Sequence, residues 1–342
     1  MVAMTCIDRL AQNENLMGRP FGRPAYFWSA WSLLNRRFFL AMPALSPLAM
    51  AAPLSGESSI RGMAGSSEIV ITTTTRLAGA IHSLRWNEME FIDSADHGRQ
   101  LQSASSFDLA KPGPFWAECY NPTEAGSRRD GAGDRSTSRL HSIDFAKNKL
   151  STRSTMAFWL NPGERSEGRP ALNQTDLSRH HLEKKVAIGM LGLPHAIDYQ
   201  VTFHVPPGER HTMGQFEALT GYMPSVFNRF LTWNRSTGKT APLDDGPGEQ
   251  TLPVIFTMRE ETHAMGIFTP ENPQIPNGAP KASRPSYGRF RFLREKVVKW
   301  NCVFRVSDPA GIPSGAYSLR MFVAVGSLNQ VTETLAALAK RT

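Results

Sequence analysis

From residue 67 to 326 the chain is a long succession of short β-type runs separated by turn residues. Nothing else in the sequence limits the fold as strongly. Glu68-Ile69-Val70-Ile71, followed by Thr72 to Thr75, is a β-branched run. Residues 79–86 alternate loosely between apolar and polar, Asn87-Glu88 supplies a turn, and Met89 to Ile92 resumes a strand. Similar runs fall at 154–160, 181–190, 196–205, 215–222, 252–258, 264–269, 288–292, 297–306 and 317–325, with Gly, Pro, Asn and Asp in the gaps. Only 327–340 has helical spacing, with Leu328, Val331, Leu335 and Leu338 on one face. There is no internal repeat of fixed period. Strands in succession with one terminal helix predict an all-β fold: a large antiparallel β-sandwich over 67–342, closed by a short C-terminal helix.

The first 51 residues read differently. Arg36-Arg37 precede an apolar run from Phe38 to Met50, which ends in the small-residue site Ala49-Met50-Ala51. That order predicts a secretory signal of the bacterial twin-arginine type, hence a periplasmic or secreted protein. The run is interrupted by Pro43 and Pro47 and is shorter than the roughly 20 residues of a bilayer-spanning helix, so no stable membrane span is expected in the mature chain. Residues 1–34 are long for the basic region of such a signal, and Met17 is an alternative start. Residues 52–66, rich in Ser and Gly, read as a mobile linker after cleavage.

The formal charge is +8, and the first 51 residues, with five arginines against two carboxylates, carry three of those charges. The remaining basic residues are scattered, as at Arg128-Arg129 and Lys184-Lys185. No run of like charges marks a nucleic-acid tail, so nucleic acid is not an expected partner. Cys119 and Cys302, the two cysteines after the signal, are either one disulfide or two buried thiols. No CxxC or HxxxH spacing points to zinc, and no cofactor motif is present, so neither metal nor cofactor is expected.

An exported protein meets glycans, and two segments have the polar density that recognition of sugar hydroxyls requires. The first, 96–102, holds Asp96, His97, Arg99 and Gln100 around Gly98. The second, 118–127, holds Glu118, Tyr120, Asn121 and Glu124 between turn signals. Glu118 and Glu124 are acid/base candidates, because glycosidic chemistry usually takes two carboxyls flanking the bond. His97 is a titratable candidate, and Asp96, Arg99, Gln100, Tyr120 and Asn121 are candidate substrate contacts. Both segments are expected to meet at one concave cleft. Two further candidates lie on strands. His181 shares a face with Glu183, while adjacent His180 points the other way. Glu217 sits in a strand-like run, where an inward carboxylate is either paired with a cation or an acid with a raised pKa. Asp244, Asp245 and Glu249 lie in a turn without the spacing of a known calcium loop. On 299–305, Trp300, Cys302 and Phe304 share one face, and Lys299, Asn301 and Arg305 share the other.

The segment 79–92, Gly79-Ala80-Ile81-His82-Ser83-Leu84-Arg85-Trp86-Asn87-Glu88-Met89-Glu90-Phe91-Ile92, resembles the first hairpin of galactose-mutarotase-like proteins. The resemblance implies a β-supersandwich with sugar on a concave sheet face, contacted by histidines, an arginine and a carboxylate. The paired histidines and late glutamate of the epimerases have no recognisable counterpart here. The fold also carries polysaccharide lyases and glycoside hydrolases, and fold alone does not choose among them. The expectation is therefore an exported carbohydrate-active protein that cleaves glycosidic bonds of an extracellular or cell-envelope poly- or oligosaccharide, either by hydrolysis with paired carboxyls or by elimination with a His, Tyr or Arg group. The alternatives are a non-catalytic glycan-binding or envelope protein and a sugar epimerase.

Overall fold

The computed structural model describes residues 54–270 and 273–342. The signal read at 1–51 lies outside the described residues. The described chain is mostly antiparallel strand, wrapped into two facing layers. One layer runs through the strands Ser58–Ala64, Ser67–Thr73, Ile81–Trp86, Leu101–Phe107, His211–Pro224, Val297–Ile312 and Ser286–Phe292. The other runs through Arg139–Ala146, Lys149–Phe158, Leu177–Ile188, Ala196–Val205, Gly315–Gly326, Ala264–Phe268, Val254–Thr257 and Arg229–Trp233. The short strand Pro122–Thr123 joins the layers, pairing with Ala104 on one side and with Ala157 and Phe158 on the other. The all-β sandwich read from the strand succession is therefore the observed class.

Period-two alternation gives each layer an apolar inner face. Val298, Trp300, Cys302, Phe304 and Val306 point into the core. Phe216 of the first layer meets Phe203 and Tyr317 of the second at ring-centroid distances of 5.2 and 4.8 Å. Each such buried side chain stabilises the fold by about 1.5–3 kcal/mol. Cys119 and Cys302 are both buried thiols, not joined by a disulfide. The C-terminal helix is Leu328–Arg341, capped by Ser327, whose side chain accepts from the Gln330 amide. Val331, Leu335 and Leu338 seal it against the Ala264–Phe268 and Gly315–Gly326 strands.

The linker reading of 52–66 needs correction. Ser58–Ala64 is a strand, paired residue by residue with Ser67–Thr73 around the turn at Gly65. Its glycine follows from packing: a Cβ at Gly62 would lie 2.6 Å from Ile188 Cγ2. Composition resembled a linker because this strand packs tightly against another layer.

Bulges shape the first layer at the site. The register of His211–Pro224 shifts between Glu217 and Leu219 against one neighbour, and between Glu217 and Thr220 against the other. The extra residue brings Thr220 and Tyr222 to the same outer face as Glu217. Lys299 and Asn301 share that face, opposite Trp300 and Cys302, as the alternation predicts. The turn at 244–250 is held by arginines: Asp244 pairs with Arg289, Asp245 with Arg291 and Glu249 with Arg305.

Candidate active site

Segments from 96–102 and 116–123 fold over the outer face of the first layer and enclose a recess. It is lined by Gly98, Gln102, Glu118, Asn121, Trp159, Glu217, Thr220, Tyr222 and Lys299, among others. Glu118, Glu217 and Asn121 thus meet at one place, although nearly 100 residues separate the two carboxylates in sequence. The free volume is ≈ 40 Å³, room for a few water molecules or one hydroxymethyl group. It is well below the roughly 300–1,000 Å³ that encloses a small ligand.

Glu118 belongs to a short 3-10 helix, Ala117–Tyr120, where the sequence suggested a loop. Burial pushes its carboxyl up to about 7 against the opposing hydrogen bond from Ser166. Trp116 Nε1 donates to Ser166 Oγ at 3.0 Å, and Ser166 Oγ donates to Glu118 Oε2 at 2.5 Å, which fixes the orientation of the carboxyl. Its second oxygen has no hydrogen-bond partner among the described residues.

Glu217 is held differently. Its Oε2 accepts from Thr220 Oγ1 at 2.8 Å and lies 3.6 Å from Lys299 Nζ, while Asn301 Nδ2 donates to Oε1 at 3.4 Å. The Lys299 ammonium also sits over the rings of Tyr222 and Phe290, at 5.3 and 5.2 Å. Burial first, then the neighbouring carboxylates, raises the Tyr222 phenol well above its ordinary value, so it is a neutral hydroxyl. Asn121 Nδ2 donates to Ser105 O and Ser106 Oγ. Gln102 Nε2 donates to Gly98 O, and its buried Oε1 has no partner. A Cβ at Gly98 would lie 2.8 Å from Trp159, so glycine there lets the 96–102 segment close on the indole.

The other sequence candidates lie outside the recess lining. His97 is buried with Nδ1 2.7 Å from Gly131 O and Nε2 2.9 Å from Arg76 O, where it ties loops together. Asp96 holds Arg99 through Nε and Nη2, at 2.9 and 2.8 Å. Gln100 is buried and donates to Asp96 O. Glu124 lies in the sandwich core, paired with the buried Lys184 ammonium and accepting from the Ser103 amide at 3.0 Å. Tyr120 packs on Phe158. His181 lies on the outer face of the second layer, 3.0 Å from Thr155 Oγ1 and near His141; His204 there pairs with Glu183 at 3.3 Å. Burial first, then the nearby Arg153 and histidines, lowers the His181 pKa. His180 points inward from the same strand and meets Glu209 and His211, a group that could hold a metal ion.

Sequence reasoning passed over Lys299, Tyr222 and Trp159 as site residues. Lys299 had a signal, because the alternation already put it on the face opposite Trp300. Tyr222 and Trp159 had none, since aromatic residues in strand-like runs read equally well as core.

No family model and no curated protein matches this chain. Among solved structures it is similar to an alpha-galactosidase from Lactobacillus brevis, at 9% identity and a TM-score of 0.43, over 85% of this chain and 42% of that one. It is also similar to a Synechocystis protein, at 10% identity and a TM-score of 0.40, over 80% and 96% of the two chains. A third is a protein from Klebsiella pneumoniae proposed to be an aldose 1-epimerase, at 10% identity and a TM-score of 0.39, over 83% and 91%. Likenesses this slight assign neither a family nor an activity.

Proposed function

We propose that this is an exported carbohydrate-active protein that cleaves glycosidic bonds at the Glu118–Glu217 recess. The observation that carries the reading is the contrast between the two carboxyls. Burial holds Glu118 at about 7, the range of a general acid at neutral pH, while Glu217 is ion-paired with Lys299. Two carboxyls in environments of opposite kind match the division of labour in glycoside hydrolysis, one giving a proton and one facing the developing charge. Gln102 Oε1 and Asn121 offer polar contacts to hydroxyls, and Trp159 and Tyr222 form apolar walls. In this reading a hydroxymethyl or hydroxyl substituent enters the narrow recess and the ring lies across its mouth. Hydrolysis is favoured over elimination, since among the described residues no histidine lines the recess and the Tyr222 phenol is held protonated. The small free volume favours a second reading, a glycan-binding protein without turnover.

The test is a polysaccharide panel with product sizing on the mature protein and on Glu118→Gln. Cleavage by the wild type and binding without cleavage by the variant is the expected result. Binding without products by both proteins would support the second reading, and no binding by either would defeat both.

Export by the twin-arginine route is part of the proposal. Replacing Arg36 and Arg37 together by Lys is expected to leave precursor in the cytoplasm, measured by fractionation. An unchanged exported yield would refute it.

A further inference from the structure

We infer that His180, Glu209 and His211 form a zinc-binding site that staples the two sheet layers together. His180 lies near the start of Leu177–Ile188 in one layer, and His211 opens His211–Pro224 in the other. Glu209 lies in the short connection just before His211. His180 Nε2 is 2.9 Å and His211 Nε2 3.1 Å from the same oxygen, Glu209 Oε2, and one donor atom from each residue lies within 4.8 Å of the others. Tetrahedral zinc with bonds of about 2.0–2.2 Å holds neighbouring donors about 3.3 Å apart, so each histidine need open from the carboxylate oxygen by only a few tenths of an ångström, while the two imidazole donors, already within 4.8 Å, settle to the same spacing. Two imidazoles and one carboxylate are a set that zinc favours.

The surroundings are those of a site built to be dry. His180 and His211 are 2% and 1% exposed. The Phe107 ring lies against both, at 4.9 and 4.5 Å, and Tyr120 closes another side at 5.7 Å from His211. The Tyr120 phenol, raised by burial first and then by the nearby Glu209 carboxylate, is a neutral hydroxyl beside the cluster. His211 Nδ1 is buried without a partner, so no hydrogen bond on that side fixes which ring nitrogen of His211 carries the proton. Arg179, 3.2 Å from Glu209 Oε1, orients the carboxylate from solvent. The competing arrangement is a metal-free triad, with each imidazole donating Nε2–H to Glu209.

The experiment uses the full chain, stripped with a chelator and titrated with zinc ion alone. Calorimetry is expected to show one zinc per chain with nanomolar affinity, and the thermal midpoint should rise with zinc. His211→Gln keeps an amide donor to Glu209 and hence the triad, yet should weaken zinc at least ~100-fold and remove the rise in midpoint. His181→Ala, which removes one ring of the surface cluster with His141 and His204, should leave both unchanged. A folded wild type that takes up no zinc overturns the proposal. So does zinc binding that survives His211→Gln or is lost with His181→Ala.

Discussion

Glu118→Gln is expected to abolish glycan cleavage and, at pH 8, to make the protein more stable than the wild type. The folded-state carboxyl titrates at about 7 against a reference value of 4.5. Between those values the unfolded chain has released its proton and the folded chain still holds it. Wild-type stability therefore falls as pH rises through this window and is level above it. Each tenfold gain in proton affinity corresponds to about 1.4 kcal/mol, so the full loss is roughly 3 kcal/mol. Glutamine has no proton to hold, and its carbonyl still accepts from Ser166. The variant should thus match or trail the wild type near pH 4.5 and exceed it at pH 8. Thermal midpoints of both proteins at the two pH values are the measurement. An equal difference at both would mean that Glu118 titrates normally and is no neutral-pH acid.

Lys184→Met is expected to destabilise the fold by about 3–5 kcal/mol, the usual cost of stripping a partner from a buried ion pair. The Lys184 and Glu124 side chains are 0% and 2% exposed, and the ammonium also donates to Gly79 O at 3.3 Å. Without the lysine, Glu124 keeps only the Ser103 amide and must either carry an unpaired buried charge or take up a proton. Adding Glu124→Leu should restore most of the loss, because two apolar side chains leave no stranded charge. Denaturant midpoints of the wild type, single and double variants check this. A single variant within about 1 kcal/mol of the wild type, on the scale of an exposed pair, would show that the pair is solvated. Glycan behaviour retained in the double variant would make Glu124 a structural residue; its loss would return Glu124 to the reaction.

Local chemistry made some of the protein legible from its sequence. Alternation marked the strands and told which face of 299–305 enters the core, because a strand's side chains must alternate whatever it packs against. The stripe Leu328, Val331, Leu335 and Leu338 marked the last helix for the same local reason, whereas its Ser327 cap was seen only in the fold. The dense polar segments around Gly98 and Glu118 were also legible, and Gly98, Gln102, Glu118 and Asn121 do share one recess. Which of their side chains face it was decided only by the tertiary structure. His97 and Glu124 look like chemistry in sequence, yet loop carbonyls surround one and a lysine 60 residues away neutralises the other. The bulge that brings Thr220 and Tyr222 to the face of Glu217 is seen only in the pairing with two different strands, which no local pattern records. Ser58–Ala64 escaped recognition because its glycine, Gly62, is required by Ile188 across the sandwich. His180, Glu209 and His211 showed no metal spacing because two layers, not one segment, bring them together. A residue's own preferences are written in its local sequence; burial, charge partners and pKa depend on neighbours that only the folded chain supplies.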